Sequence, residues 1–409
     1  MENKLERVFV IVPDVYDDLE YRIAETRELI RSADGEICGI ATPRVRKYSP
    51  ATYLGTGKLA EILREIEKTD ATCILFDGDL SPAQQANMAE LLDNRKLIDR
   101  TGLILDIFAL HADTDEGKLQ VELAQLKYRY PRLKGSHEDL SRQGGGIGTR
   151  GPGETRLETD RRYIKTRIRA LERELSELEQ RRTLQDDRRK KNDVRRVALI
   201  GYTNAGKSTL LNRLTDSDVL AENKLFATLD PTMRKLELKD DAVLLTDTIG
   251  FLQDLPHELI RAFRSTLNVV LSADLAVVVI DGSSPAWKMQ YEVTTNTLNE
   301  LKYEGDVLPV VNKCDLLTSF AGFPEGCLFV SALSGYGMDE LKDRLNAFFA
   351  DNFRTLRFFY PYTESSAAER AFSSVTVLNR DFGESGVTLT ARVAKKDYPK
   401  LRKWVLRSK

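Results

Sequence analysis

"LIGYTNAGKSTLLNRL", residues 199–214, is the stretch on which the reading of this chain turns. It contains the phosphate-loop pattern G-x-x-x-x-G-K-[ST] from Gly201 to Ser208. An apolar run, "VRRVALIG" (194–201), precedes it and an amphipathic helical period follows. Strand, glycine turn and helix in that order are the context the pattern needs. Gly201 and Gly206 let the backbone N–H groups of Tyr202, Thr203, Asn204 and Ala205 turn inward around phosphates, at a helix N-terminus that favours anions. Lys207 is expected to bridge the β- and γ-phosphates, and Ser208 to place its hydroxyl on magnesium.

Further along, "VVNKCD" (310–315) bears on which base is bound. A carboxylate accepts two hydrogen bonds from the ring N–H and exocyclic amine of guanine, and adenine offers no such pair there. Asp315 fits that role, with Asn312 steadying the loop, Lys313 packing along the ring and Cys314 between them. Loss of such a pair costs selectivity of order 10⁴. "VSAL" (330–333) comes one strand later, placing Ser331, Ala332 and Leu333 near the base, with the Ala332 N–H able to meet the guanine carbonyl. "LLTDTIGF" (244–251) supplies Asp247, expected to hold magnesium through a water, then Thr248, Ile249 and Gly250, whose N–H senses the γ-phosphate. Between these lies "KLFATLDPT" (224–232), where Thr228 and Thr232 both have the chemistry to reach magnesium. Such a segment orders on the triphosphate and relaxes on hydrolysis. These five elements have the order and spacing of a translation-factor-like GTPase, for which Lys207, Gly250 and one of the two threonines form the catalytic set. Phe251 stands where many GTPases carry a water-orienting glutamine. Slow intrinsic hydrolysis with external help, worth ~10³–10⁵ in rate, is expected; Gln253, two residues on, is the alternative.

Around this core the chain is organised in four parts. Residues 1–112 alternate strand-like runs ("VFVIVP", "EICGIA", "CILFD") with helical periods, a βαβα rhythm that implies a mostly parallel sheet. "YLGTGKL" there looks like a cropped phosphate loop, but Leu59 replaces the hydroxyl residue, so a glycine turn starting a helix is the preferred reading. In residues 113–193, Leu119, Leu123, Leu126, Tyr130 and Leu133 form one seam, and Leu157, Ile164, Ile168, Leu171, Leu175 and Leu178 another. Two seams joined by a tight connection predict a long antiparallel helical hairpin, with "DDRRKKND" (186–193) as a charged linker. Its tip would be "GGGIGTRGPGETR" (144–156), whose six glycines are costly to order unless something grips them. Residues 194–353 form the nucleotide domain. Residues 354–409 read strand, helix, strand, strand, helix, a small α+β domain.

Composition sets the outer limits. The chain has 409 residues, 42% hydrophobic and 30% charged, with net charge −2, so a nucleic-acid partner must be met by a local basic patch. No apolar run approaches a membrane span and the N-terminus lacks a signal-peptide plan. The four cysteines are far apart, three in or beside apolar runs, as in a reduced cytoplasmic protein.

"SRQGGGIGTRGPGETRLETDRR" (141–162), taken with the phosphate loop, "FATLDPT", "DTIGF" and "NKCD", closely resembles the HflX family of ribosome-associated GTPases. The resemblance covers the hairpin and the nucleotide domain, and the first hundred residues more loosely. It implies that Thr228 rather than Thr232 is the magnesium threonine, and that Phe226, Ala227, Thr228, Leu229 and Asp230 border the nucleotide. It implies GTP as substrate, GDP as product and magnesium as cofactor. It further implies binding to the large ribosomal subunit and its ribosomal RNA, activation by that subunit, and splitting or rescue of stalled ribosomes under stress. A cytoplasmic monomer, in part ribosome- or membrane-associated, is expected. A hydrophobic residue at Phe251 is the family's habit; Arg156, where the family usually shows glutamine, is a departure that adds positive charge. Lys127 to Arg169 hold twelve basic and five acidic residues, a net +7. A basic rod tipped with small residues suits a phosphate-lined groove, with Arg150 and Arg156 at the tip. A GTPase for subunit assembly or another RNA task, and a stress-regulatory scaffold, are the competing readings.

Overall fold

The computed structural model describes residues 6–45, 47–133, 152–191, 195–215, 225–226, 231–239, 242–253, 269–372, 375–394 and 397–406, with backbone alone for 152–157, 182–191, 351–352, 376 and 394. The chain divides into two units. The first comprises residues 1–176 with segments 221–230 and 249–267; the second holds the rest.

The first unit opens with four parallel strands in the order β2-β1-β3-β4: β1 Glu6–Ile11, β2 Gly35–Ala41, β3 Cys73–Phe76 and β4 Lys96–Asp99. Between them run α1 Leu19–Ser32, α2 Thr56–Ile66 and α3 Pro82–Leu91, followed by α4 Arg100–His111. "CILF" is buried throughout, as expected of a strand covered on both faces. The glycine turn at Gly55 starts α2, in keeping with the preferred reading of "YLGTGKL". β4 was not foreseen, because four residues are too few to show a period. At the carboxyl ends of β1 and β3 the buried Arg22 and Arg100 are both neutralised. Asp77 accepts from Arg22 Nε at 2.7 Å and Arg100 Nη1 at 2.9 Å, and Glu25 pairs with Arg100. Buried charges persist when paired in this way, and here they tie α1 and α4 to the end of β3.

α5 Asp115–Arg132 and α6 Pro152–Lys191 carry the two predicted seams. Arg167 grips Glu122 with two 2.7 Å bonds, Lys127 pairs with Glu172 at 2.7 Å, and Arg161 lies over the Tyr130 ring. Residues 134–151, between the two helices in sequence, lie outside the described residues, and with them the larger part of the expected tip. Three details correct the expectation. Residues 152–156 are already helical, which proline at the first position allows. The helix continues to Lys191 instead of yielding to a linker at 186, since its Arg, Lys and Gln residues are good helix formers. The best-buried face of α5 is Gly117, Gln120, Val121, Leu123 and Ala124, which shares only Leu123 with the seam.

In the second unit six strands run β10-β9-β8-β5-β7-β6: β5 Arg195–Gly201, β6 Thr232–Glu237, β7 Ala242–Asp247, β8 Leu275–Asp281, β9 Asp306–Asn312 and β10 Leu328–Phe329. All pairs are parallel except β6 with β7. That antiparallel edge was not foreseen; "TMRKLE" is largely charged and buries only Leu236. α7 Lys207–Thr215, α8 Trp287–Glu300 and α9 Met338–Asn352 accompany the sheet. Leu210, Leu211, Val277, Val310, Leu341 and Phe349 belong to one continuous core.

The end of the chain forms an antiparallel sheet ordered β11-β13-β12: β11 Phe353–Pro361, β12 Thr376–Phe382 and β13 Gly386–Ala394. α10 Ser365–Phe372 and α11 Tyr398–Leu401 complete it, in the predicted order. Phe358, Tyr360, Phe372, Leu389, Leu401 and Trp404 share its core. The architecture is therefore mixed α/β: an α/β region, a phosphate-loop domain and a small α+β domain.

Candidate nucleotide site

The phosphate loop joins the carboxyl end of β5 to α7. Gly201 (φ +154°) leaves the strand so tightly that a Cβ there would stand 2.3 Å from the Val279 carbonyl oxygen. Gly206 (φ +87°) has the same constraint, its Cβ falling 2.3 Å from Asn312 Nδ2. Both positions therefore need glycine, for space as well as backbone conformation. Asn204 also takes a left-handed φ of 60°. Lys207 is buried, and its Nζ donates to the carbonyls of Tyr202 at 2.9 Å and Gly201 at 3.3 Å. Burial pushes its pKa down to about 8, against an upward pull from Asp247. The Thr203 Oγ1 is buried without a hydrogen-bond partner among the described residues.

Ser208 Oγ donates to Asp247 Oδ2 at 2.5 Å, so residues 39 apart in sequence meet at the place expected of a divalent cation. Asp247 is fully buried. A buried carboxylate beside a hydroxyl supplies the hard oxygen chemistry that magnesium takes, directly or through water. Thr248 Oγ1 donates to Leu199 O at 2.7 Å and fixes the end of β7 to β5.

The base-reading loops meet through Asn312, whose Nδ2 donates to Ala205 O at 2.9 Å while its Oδ1 accepts from Ala332 N–H at 3.0 Å. The steadying role of Asn312 is thus present. The Oδ1 bond holds the Ala332 N–H beside Asn312. Lys313 takes φ +59°, and its Nζ bonds Asp281 Oδ2 at 2.7 Å. Asp281 was not foreseen, although an acid closing an apolar strand one strand before N-K-x-D is a readable signal. Cys314 is buried and Asp315 exposed on a 3-10 turn, while Ser331 is buried and Leu333 is 82% exposed.

Gly250 and the buried Ile249 and Phe251 fall in the first unit, as does Phe226. Phe226 was expected at the nucleotide by resemblance. Its side chain is buried edge-on against Phe108 of α4, centroids 4.7 Å apart, and the neighbouring Leu225 N–H donates to Ser32 Oγ at 2.8 Å. Ala227, Thr228, Leu229 and Asp230 lie outside the described residues. Thr232 begins β6.

A parallel sheet with a lysine-bearing glycine loop at the end of β5, a Ser–Asp pair beside it and an N-K-x-D turn after β9 defines a P-loop GTPase. Family descriptions match most of residues 20–313: GTP-binding GTPase N-terminal at residues 20–109, GTP-binding GTPase Middle Region at 111–189 and 50S ribosome-binding GTPase at 196–313. The GTPase HflX of Caldanaerobacter subterraneus subsp. tengcongensis is 43% identical over 403 residues, 98% of this chain and 94% of that one. The GTPase HflX of Escherichia coli K12 is 45% identical over 300 residues, 73% of this chain and 70% of that one. The chain belongs to the HflX GTPase family and is a GTP hydrolase. A solved structure, the SsGBP and GDP complex, is 23% identical with a TM-score of 0.49, covering 85% of this chain and 99% of that chain. Among the described residues no helix is long and apolar enough to cross a membrane.

Proposed function

We propose that this GTPase binds the large ribosomal subunit through the α5–α6 arm and couples GTP hydrolysis to splitting or rescuing stalled ribosomes. The supporting observation is the arm itself: a helix of 40 residues carrying exposed Arg162, Lys165 and Arg169. It leads back to the glycine-rich segment with Arg150. The basic set is smaller than composition suggests, because Lys127, Arg132 and Arg167 are spent on Glu172, Asp99 and Glu122. Exposed Arg162, Lys165 and Arg169 remain for phosphates, which suits docking on folded RNA.

At the nucleotide, Asp315 accepts the two guanine donors and Lys313, held by Asp281, lies along the base. The loop N–H groups from Tyr202 to Gly206 and the Lys207 ammonium take the phosphates. Ser208 and Thr228 would hold magnesium, with Asp247 acting through a water, and the ion would neutralise charge on the β- and γ-phosphates. Water attacks the γ-phosphorus and the bond to the β-bridging oxygen breaks, giving GDP and phosphate. Phe251 has no hydrogen-bonding group to orient that water, so turnover waits on the ribosome. The test is dissociation of intact ribosomes on a density gradient. Added protein with GTP converts 70S particles to subunits and protein with GDP does not; intact particles in both would favour an assembly role.

A further inference from the structure

The turn that reads the base carries opposite charges two residues apart, Lys313 and Asp315. Lys313 follows β9, and Asp315 lies on the 3-10 turn Cys314–Leu316. Asp315 is exposed, and its carboxylate enters no hydrogen bond or ion pair among the described residues. A lysine ammonium on its flexible stem, this close along the chain, would be a ready partner for that carboxylate. Charge-assisted bonds of that kind are strong, and guanine would have to displace it.

Lys313 is committed elsewhere. Asp281 closes β8 directly across from Asn312 in the strand register. Its Oδ2 accepts from Lys313 Nζ at 2.7 Å, with the acid 15% and the lysine 28% exposed. Its Oδ1 accepts from the Ser283 N–H at 3.0 Å and the Ser283 hydroxyl at 2.6 Å, which stops the carboxylate from following the lysine outward. Between Asp281 and Ser283, Gly282 lies so close to β9 that a Cβ would stand 2.8 Å from Val311 Cγ1. The Gly282 N–H donates to Asn312 O at 2.9 Å. The acid is thereby fixed to the strand that leads into the lysine.

We propose that Asp281 is a specificity-determining residue for guanine, which withholds the Lys313 ammonium from Asp315 and leaves that carboxylate open to the base. The inference rests on the reading of Asp315 as acceptor of the two guanine donors. Discrimination of order 10⁴ requires a polar group that only the right base satisfies. A carboxylate already paired with its neighbour is satisfied without guanine, so that pairing would erode the discrimination. Asp281 is a positioning residue: it acts through Lys313 rather than on the nucleotide.

The test is equilibrium binding of GDP to full-length chains by calorimetry, at low and at high salt. D281N keeps an oxygen for Ser283 but turns an amide donor toward Lys313, which drives the ammonium out. GDP binding in D281N is expected to weaken about tenfold, the low end for a hydrogen bond between charged groups. The loss shrinks in high salt, which screens the competing Lys313–Asp315 pair. Methionine keeps an apolar stem at position 313 and drops the charge. D281N/K313M is therefore expected to bind GDP more tightly than D281N and within about threefold of K313M alone. A merely structural role for Asp281 would not be reversed by that second substitution. GDP affinity within about twofold of the parent in D281N overturns the proposal, and so does a D281N/K313M chain no tighter than D281N. D315N reports on the underlying reading. An unchanged guanine preference in D315N removes that reading and the inference with it, whereas a lost preference in D315N beside an unaffected D281N removes the inference alone.

Discussion

Gly206→Ala probes the junction on which the nucleotide site depends. The added methyl carbon would stand 2.3 Å from Asn312 Nδ2, in a residue whose φ is +87°. A left-handed backbone costs a non-glycine residue about 1–2 kcal/mol. Moving Asn312 aside breaks its 2.9 Å bond to Ala205 O, worth about 1 kcal/mol more. The sum, about 2–3 kcal/mol, corresponds to roughly 30–150-fold weaker GDP binding. Isothermal titration calorimetry of GDP into parent and variant measures it. Asn312→Ala removes the atom that is struck, so the G206A/N312A double variant should lose less than the two single losses added together. GDP affinity within threefold of the parent in G206A, or full additivity in the double variant, would refute the reasoning.

Asp315→Asn should reduce discrimination of GTP over ATP by order 10⁴ and favour xanthosine triphosphate, whose C2 oxygen accepts where guanine donates; competition binding reads this, and unchanged guanine preference counts against Asp315. Lys207, held near pKa 8 against 10.5 unperturbed, should take up a proton when GDP binds at pH 8.5, seen as a buffer-dependent binding enthalpy. Because the folded value is lowered, the unfolded chain binds the extra proton between about 8 and 10.5, and ligand-free stability should gain from Lys207 as pH rises through that window. Proton uptake of zero at pH 8.5 would show that Lys207 is already charged. Thr203→Val removes a buried hydroxyl that lacks a partner among the described residues, so the ligand-free chain should melt no lower than the parent, whereas GTP affinity or turnover should fall. An unaltered GTP response in T203V would mean the hydroxyl faces no ligand.

Much of the site was legible because its chemistry is local. A glycine turn between an apolar strand and a helix, and an N-K-x-D after another strand, are readable from a few adjacent residues. The Asn312 bridge and the Ser208–Asp247 bond are not, because they join residues 107 and 39 positions apart. β6 escaped notice because an edge strand with charged side chains lacks the apolar run of a covered one. The length of α6 was underestimated since charged residues alone do not end a helix, and "DDRRKK" contains neither glycine nor proline. The arm's net charge could be counted, but which arginines are free could not. Arg132, for instance, is committed to Asp99, Gln85 and the Leu80 carbonyl. Phe226 illustrates the same limit, because the partner that buries it, Phe108, belongs to a helix more than a hundred residues earlier.

Co-pelleting with isolated large ribosomal subunits, in a non-hydrolysable GTP analogue and in GDP, tests the central claim most directly. The parent chain should pellet with subunits in the GTP analogue, and R150E/R156E should stay in the supernatant while binding GDP as the parent does. Equal pelleting of the two proteins, or pelleting of neither, would contradict it.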